Sequence, residues 1–74
     1  MNRLPTTELI FEVTQEVGGG YSAECLTEDI FTQGATWEAL RENAREAVRV
    51  YLYDATLPQW IRLRFARDEV LRLA

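Results

Sequence analysis

Three consecutive glycines, Gly18-Gly19-Gly20, separate two stretches in which apolar and polar residues alternate. In Leu9-Ile10-Phe11-Glu12-Val13-Thr14 the alternation sets Leu9, Phe11 and Val13 on one side and Ile10, Glu12 and Thr14 on the other, the period-two pattern of a half-buried strand. Tyr21-Ser22-Ala23-Glu24-Cys25-Leu26 resumes the same pattern. Glycine adopts the positive backbone angles of a tight reversal without steric cost, so the whole segment predicts a β-hairpin. A phosphate-cradling loop would need a helix N-terminus directly after the glycines, and a strand follows instead.

Ile30-Phe31-Thr32-Gln33 predicts a third short strand, ended by Gly34, and Thr36 is placed to cap the free amides of a following helix. From Trp37 to about Tyr53 the apolar residues Trp37, Leu40, Ala44, Ala47, Val48 and Tyr51 recur every three or four positions, an amphipathic helix. Glu38–Arg41, Glu42–Arg45 and Glu46–Arg49 are three i,i+3 pairs on its wet side, worth roughly 0.3 kcal/mol each. Pro58 stops further helix, and Trp60-Ile61-Arg62-Leu63-Arg64-Phe65 alternates as a fourth strand. The tail from 66 to 74 reads either as a short helical turn begun at Asp68 or as an extended arm.

The order strand-strand-strand-helix-strand predicts a single α+β domain over 1–74, one sheet covered by one helix. A right-handed crossover sets the last strand parallel to the first and beside it, with the helix on the Leu9/Phe11/Val13 face. The opposite face then stays bare and carries Ile10, Glu12, Ser22, Glu24, Leu26, Trp60, Arg62 and Arg64.

With 74 residues the chain forms one unit, and 47% hydrophobic with 27% charged residues is the composition of a globular domain. At this size folding removes on the order of 7,800 Å² of surface, whose apolar part yields roughly 115 kcal/mol against an ordering cost of about 110 kcal/mol. So small a margin makes self-association into a dimer or tetramer an expected source of further burial, with Ile10, Leu26 and Trp60 on the bare face as its contacts. Cys25 has no second cysteine to pair with, and without histidine the common Cys/His zinc sets do not arise. No apolar run has the length of a membrane span, and Met1–Thr7 lacks the apolar core of a signal peptide. A cytoplasmic protein, with no membrane association, is expected.

The net charge of −4 is unevenly distributed. Residues 1–40 carry Glu8, Glu12, Glu16, Glu24, Glu28, Asp29 and Glu38 against Arg3, a balance of −6, whereas residues 41–74 balance at +2. Nucleic-acid surfaces need clustered positive charge, so direct nucleic-acid binding is not expected of the first half; a basic protein partner suits it. Glu12, Glu16, Glu24, Glu28 and Asp29 are the candidate partner-binding residues, the alternative being an ordinary solvated face.

The series Thr32-Gln33-Gly34-Ala35-Thr36-Trp37-Glu38-Ala39-Leu40-Arg41-Glu42-Asn43-Ala44-Arg45-Glu46-Ala47, with Gly19-Gly20-Tyr21-Ser22-Ala23-Glu24 before it, resembles the HicB family of antitoxin-like proteins over about residues 8–53. The family signature Q-G-D-T-x-E-E-A-x-x-N-A-x-E-A is what the stretch entering the helix is similar to. The resemblance implies a partial ribonuclease H-like fold and a domain that covers a small basic toxin ribonuclease, a HicA-like toxin. It also marks two differences. The link from Cys25 to Ile30 is shorter than the family's Pro-Glu-Leu-Pro-Gly-Cys type, and the stretch after Tyr53 is expected to hold the fourth strand but no helix-turn-helix or ribbon-helix-helix module. Family relatives also occur without a toxin partner, which leaves a stand-alone oligomeric protein with a regulatory or housekeeping binding role as the alternative.

Ribonuclease H-type nucleases hold two divalent metals with carboxylates on the open sheet face. Glu12, Glu24 and Asp54 are the carboxylates to consider, and Arg62 and Arg64 on the neighbouring strand are expected to pair with Glu12 across the sheet. Cys25 has no histidine to activate it and reads as a small packed hydrophobe. No catalytic residue, metal or cofactor is assigned, and the chain is not expected to be an enzyme.

Overall fold

The computed structural model describes residues 8–66 and 71–73. β1 (Glu8–Gln15) lies inside a four-stranded sheet, paired antiparallel with β2 (Tyr21–Cys25) and parallel with β4 (Trp60–Ala66), while β3 (Phe31–Gly34) closes the other edge in the order β3-β2-β1-β4. The helix α1 (Trp37–Tyr51) connects the edge strands β3 and β4. The α+β class, the element order and the parallel β1–β4 neighbours are those predicted from periodicity and crossover handedness. No helix among the described residues is long and apolar enough to cross a membrane.

The alternation of β1 explains the core. Leu9, Phe11 and Val13 are buried on the helix side together with Ala23 and Cys25 of β2, and Leu40, Ala44 and Val48 of α1 close over them. Register transmits the same parity across the sheet, so Ile61, Leu63 and Phe65 of β4 stand beside Leu9, Phe11 and Val13. Cys25 is a free, buried thiol whose sulfur lies 3.9 Å from the Thr27 hydroxyl, the position of a packed small residue.

In the hairpin, Gly19 donates to the Glu16 carbonyl, and Gly19 and Gly20 take φ of 96° and 83°. Those two glycines hold the left-handed conformations that the reversal requires. Val17 at the tip is fully exposed.

Four residues of the helix-entry series have structural duties. Thr36 is the N-cap, its hydroxyl accepting from the Ala39 amide at 3.0 Å. Leu40 is fully buried, and the Asn43 side-chain amide donates to the Gln33 carbonyl at 2.6 Å, tying α1 to β3. Gly34 lies directly beneath the first turn of α1, where a Cβ would come within 2.4 Å of the Leu40 nitrogen. Its place at the end of β3 suggests a simple strand terminator, but its function is to let two backbones meet.

Other details differ from expectation by local geometry. Ile30 precedes β3 and is buried, with its carbonyl accepting from the Cys25 amide, so the exposed member of the Ile30-Phe31 pair is Phe31. The helix ends at Tyr51, with the Leu52 amide donating to the Val48 carbonyl, two residues before the predicted limit. Of the three ion pairs expected along α1, Glu42–Arg45 and Glu46–Arg49 form, the latter at 3.8 Å; Glu38–Arg41 does not. Trp37 is half-buried and packs edge-on against Tyr21 with ring centres 5.4 Å apart, while Phe65 of β4 completes the cluster at 6.3 Å from each. The helical turn considered from Asp68 lies outside the described residues.

Candidate functional site

Among the described residues, one sheet face has no helix over it. It is built from the outward positions of all four strands: Glu8, Ile10, Glu12 and Thr14 of β1, Ser22 and Glu24 of β2, Phe31 and Gln33 of β3, and Trp60, Arg62 and Arg64 of β4. Two antiparallel registers and one parallel register make a single row of Phe31, Glu24, Glu12 and Arg64 across it. Two carboxylates therefore stand side by side at the centre of the face, flanked by an exposed aromatic ring and a guanidinium.

The five acidic candidates do not form one patch. Glu12 and Glu24 are neighbours on the bare face, and both are exposed. Glu16 lies in the hairpin turn, beyond the start of β2. Glu28 and Asp29 sit in the link that follows the other end of β2, where the Glu28 carbonyl accepts from Ile30 and its residue is half-buried. Chain order alone places these acids in one half of the sequence; the fold distributes them between the centre and the two ends of the sheet.

The apolar candidates converge better. Leu26 donates its amide to the Ile10 carbonyl at 3.0 Å, and Trp60 pairs with Glu8, one outward position from Ile10. Trp60 is 65% exposed, Leu26 50%, and Phe31, which the sequence reading did not assign to this face, 60%. Two adjacent apolar residues, Ile30 and Phe31, leave the parity of β3 undecided in sequence. The β2–β3 register decides it by pairing Phe31 with Glu24.

The expected pairing of Glu12 with Arg62 is corrected. Arg62 donates from Nε at 3.1 Å and from Nη2 at 2.9 Å to the Glu8 carboxylate, one outward position the other way along β1. Ile10 is the residue directly beside Arg62, so Glu8 and Glu12 are its two diagonal options, and the guanidinium turns to the first. Hydrogen bonding to Glu8, followed by its negative charge, raises the Arg62 pKa above the ordinary guanidinium value. Arg64 stands opposite Glu12 by register without forming an ion pair among the described residues.

No three acidic or cysteine side chains gather at metal-binding distance among the described residues. Asp54 lies in the turn after α1, away from the central Glu12–Glu24 row. The bare face thus offers charge and apolar area for a macromolecular contact. At its β3 edge, a groove of about 450 Å³ between β3 and α1 is lined by Asp29, Phe31, Val50 and Tyr51 among others.

Compared with known proteins, the chain is 36% identical over 61 residues to a UPF0150 protein of Thermotoga maritima, an alignment covering 82% of this chain and 86% of that protein. No protein-family model matches the chain. No solved structure matches it either.

Proposed function

Because the chain belongs to the UPF0150 family, we propose that it is a HicB-like, antitoxin-type interaction protein that binds and covers a small basic toxin ribonuclease of the HicA-like kind. The observation carrying this reading is the uncovered sheet face, where Glu12 and Glu24 stand together between Phe31 and the Ile10/Leu26/Trp60 corner. The resemblance of residues 8–53 to the HicB family supports it. A ribonuclease holds RNA through positive charge, so an inhibitor presenting carboxylates competes for the phosphate-binding surface, and flanking apolar side chains add area shielded from water. The edge strand β3 offers unpaired backbone groups for strand addition beside the same face. In this reading the chain works in the cytoplasm, carries no catalytic chemistry, and does not bind nucleic acid directly.

The test mixes the purified chain with a small basic ribonuclease encoded by an adjacent reading frame and follows RNA cleavage. Cleavage is expected to stop at stoichiometric chain, while the chain alone with Mg²⁺ or Mn²⁺ leaves RNA, DNA and RNA–DNA hybrids intact. Undiminished toxin cleavage rejects the inhibitory reading. Cleavage by the chain alone that disappears in Glu12→Gln would instead make it a nuclease.

A second reading is a stand-alone oligomer with a regulatory or housekeeping binding role, favoured by the exposed Leu26, Phe31 and Trp60 on one face. Light scattering at tens of micromolar protein is expected to give a dimer or tetramer, and Trp60→Glu to lower that mass without changing the circular dichroism spectrum. A parental mass of 8.6 kDa rules this reading out.

A further inference from the structure

The two edges of the sheet differ. β3 is four residues long and ends on Gly34, whereas β4 runs for seven residues, Trp60–Ala66, without proline, glycine or lysine. Such residues, or a cover, normally blunt a long edge, because its unpaired N–H and C=O groups are a template for another strand. Among the described residues no strand pairs with the outer side of β4.

The helix layer is also unfinished on this side. α1 lies over β3 and β2, and burial falls away toward β4. Leu9, Phe11 and Val13 of β1 are at most 2% exposed, yet Ile61 and Leu63 beside them are only half-buried and Phe65 is 44% exposed. A cleft of about 450 Å³ opens between α1 and the first half of the strand, with Leu57, Gln59, Ile61 and Leu63 in its wall.

The residues along β4 supply their own complement. When two copies of the strand lie antiparallel about a two-fold axis normal to the sheet, like faces stay together, so the axis must pass through a residue. Centred on Leu63, the pairing sets Arg62 against Arg64 twice, and centred on Arg64 it sets Arg64 against itself. Like charges directly opposite each other destabilise a pair of strands. Centred on Arg62, it sets Trp60 of each copy against Arg64 of the other. The one like pair left is Arg62 with Arg62, and each of these is already held by its own Glu8 at 2.9 and 3.1 Å. Arg64 has no ion pair among the described residues and Trp60 is 65% exposed, so guanidinium and indole are both available for a cation–π contact, made twice. On the helix side the same register places Ile61 beside Leu63 and brings Phe65 to Gln59, at the other copy's cleft.

We propose that the chain self-associates through β4, as a two-fold pair centred on Arg62 that joins two four-stranded sheets into one. An isologous contact of this kind closes on itself. The proposal rests on the self-association reading and assigns that association to the strand edge. Of the Ile10/Leu26/Trp60 corner only Trp60 takes part, which leaves the Glu12–Glu24 centre of the bare face and the β3 edge open to a different partner.

Analytical ultracentrifugation of the full chain is expected to give twice the 8.6 kDa of one copy at tens of micromolar protein. Trp60→Arg, which places like charges opposite each other, is expected to raise the dissociation constant roughly tenfold, and Trp60→Arg/Arg64→Trp to restore it to within about threefold. Leu26→Lys, on the bare face away from the edge, is expected to leave it unchanged. Facing residues of antiparallel strands lie about 4.5–5.5 Å apart between Cα atoms, within reach of a disulfide. Arg62→Cys is therefore expected to oxidise to a covalent dimer, and Arg64→Cys, which faces Trp60, is not; the parental chain, whose lone Cys25 is buried, gives the background. Should Trp60→Arg misfold by circular dichroism, the crosslinking still decides, since Arg62 and Arg64 are both exposed. A monomeric parental chain overturns the proposal together with the self-association reading. A parental dimer in which Arg62→Cys does not crosslink, Arg64→Cys crosslinks in preference to it, or Leu26→Lys dissociates the pair while Trp60→Arg does not, overturns the proposal and leaves self-association standing.

Discussion

Gly34→Ala is expected to lower the unfolding free energy by about 3 kcal/mol, a large share of the ~4–11 kcal/mol typical of a domain this size. The added methyl would sit 2.4 Å from the Leu40 nitrogen, 2.6 Å from its Cα and 2.9 Å from the Ala39 carbonyl carbon. All three are backbone atoms, so no side chain can rotate away. Either α1 lifts off β3 or β3 bends, and both movements open the Leu40 contact with the core and strain the Asn43–Gln33 hydrogen bond. Gly18→Ala is the control. Its Cβ would meet nothing within 4 Å and its backbone angle is not positive, so it should change stability little. Urea titration followed by circular dichroism measures both. At about 4–8 °C per kcal/mol, the Gly34 variant should also melt roughly 12–24 °C lower. A midpoint equal to the parental one would mean that the helix–strand approach is looser than described.

The second large effect is kinetic. Glu12→Lys/Glu24→Lys is expected to slow association with a basic toxin roughly 10- to 100-fold at low salt, with a much smaller change in dissociation, because steering acts before contact. These two positions are chosen because they are adjacent on the bare face and both exposed. Raising the parental protein's buffer from ~0.05 M to ~0.5 M salt should reproduce most of the loss, since the Debye length falls well below the distances over which the charges act. Stopped-flow mixing at several ionic strengths separates the two rate constants. An association rate and a neutralisation titre equal to the parental values would remove the electrostatic part of the proposed function.

Much of the architecture is readable in the residues themselves, for identifiable reasons. Leu9, Phe11 and Val13 alternate strictly because one side of β1 is buried and the other is open, and the parallel placement of β4 follows from crossover handedness. What periodicity does not carry is anything decided by the approach of two elements. Gly34 has the same appearance in sequence whether it ends a strand or lies under a helix. Arg62 has two diagonal carboxylates within reach, and no pattern in the chain chooses Glu8 over Glu12. The acids from Glu12 to Asp29 look like one cluster in chain order, yet β1, the hairpin and the β2–β3 link disperse them.

The helix-entry series shows the same division between fold and function. Gly34, Thr36, Leu40 and Asn43 are explained by helix seating, capping, core packing and a hydrogen bond to Gln33. A motif of this kind is a reliable marker of architecture because each residue has a mechanical duty. For the same reason it says nothing about the partner, which would meet the bare face on the other side of the sheet.

The position of β1 has a consequence for how the molecule is made. Glu8 and Arg62, which hold the two parallel strands together at one end, are 54 residues apart in the chain. The hairpin with β2 closes over a few residues, whereas pairing with β4 closes the longest loop in the sheet, and until β4 arrives β1 has a single neighbour. For that interval the central strand of the finished sheet is an edge, lined by the apolar Leu9, Phe11 and Val13 on one side and with half its backbone groups unpaired. Such an edge is the usual template for misassembly between nascent chains. The β1–β4 pairing is therefore the longest-range contact of the sheet, and the flank of β1 that it covers is the one that local loosening of the last strand would expose.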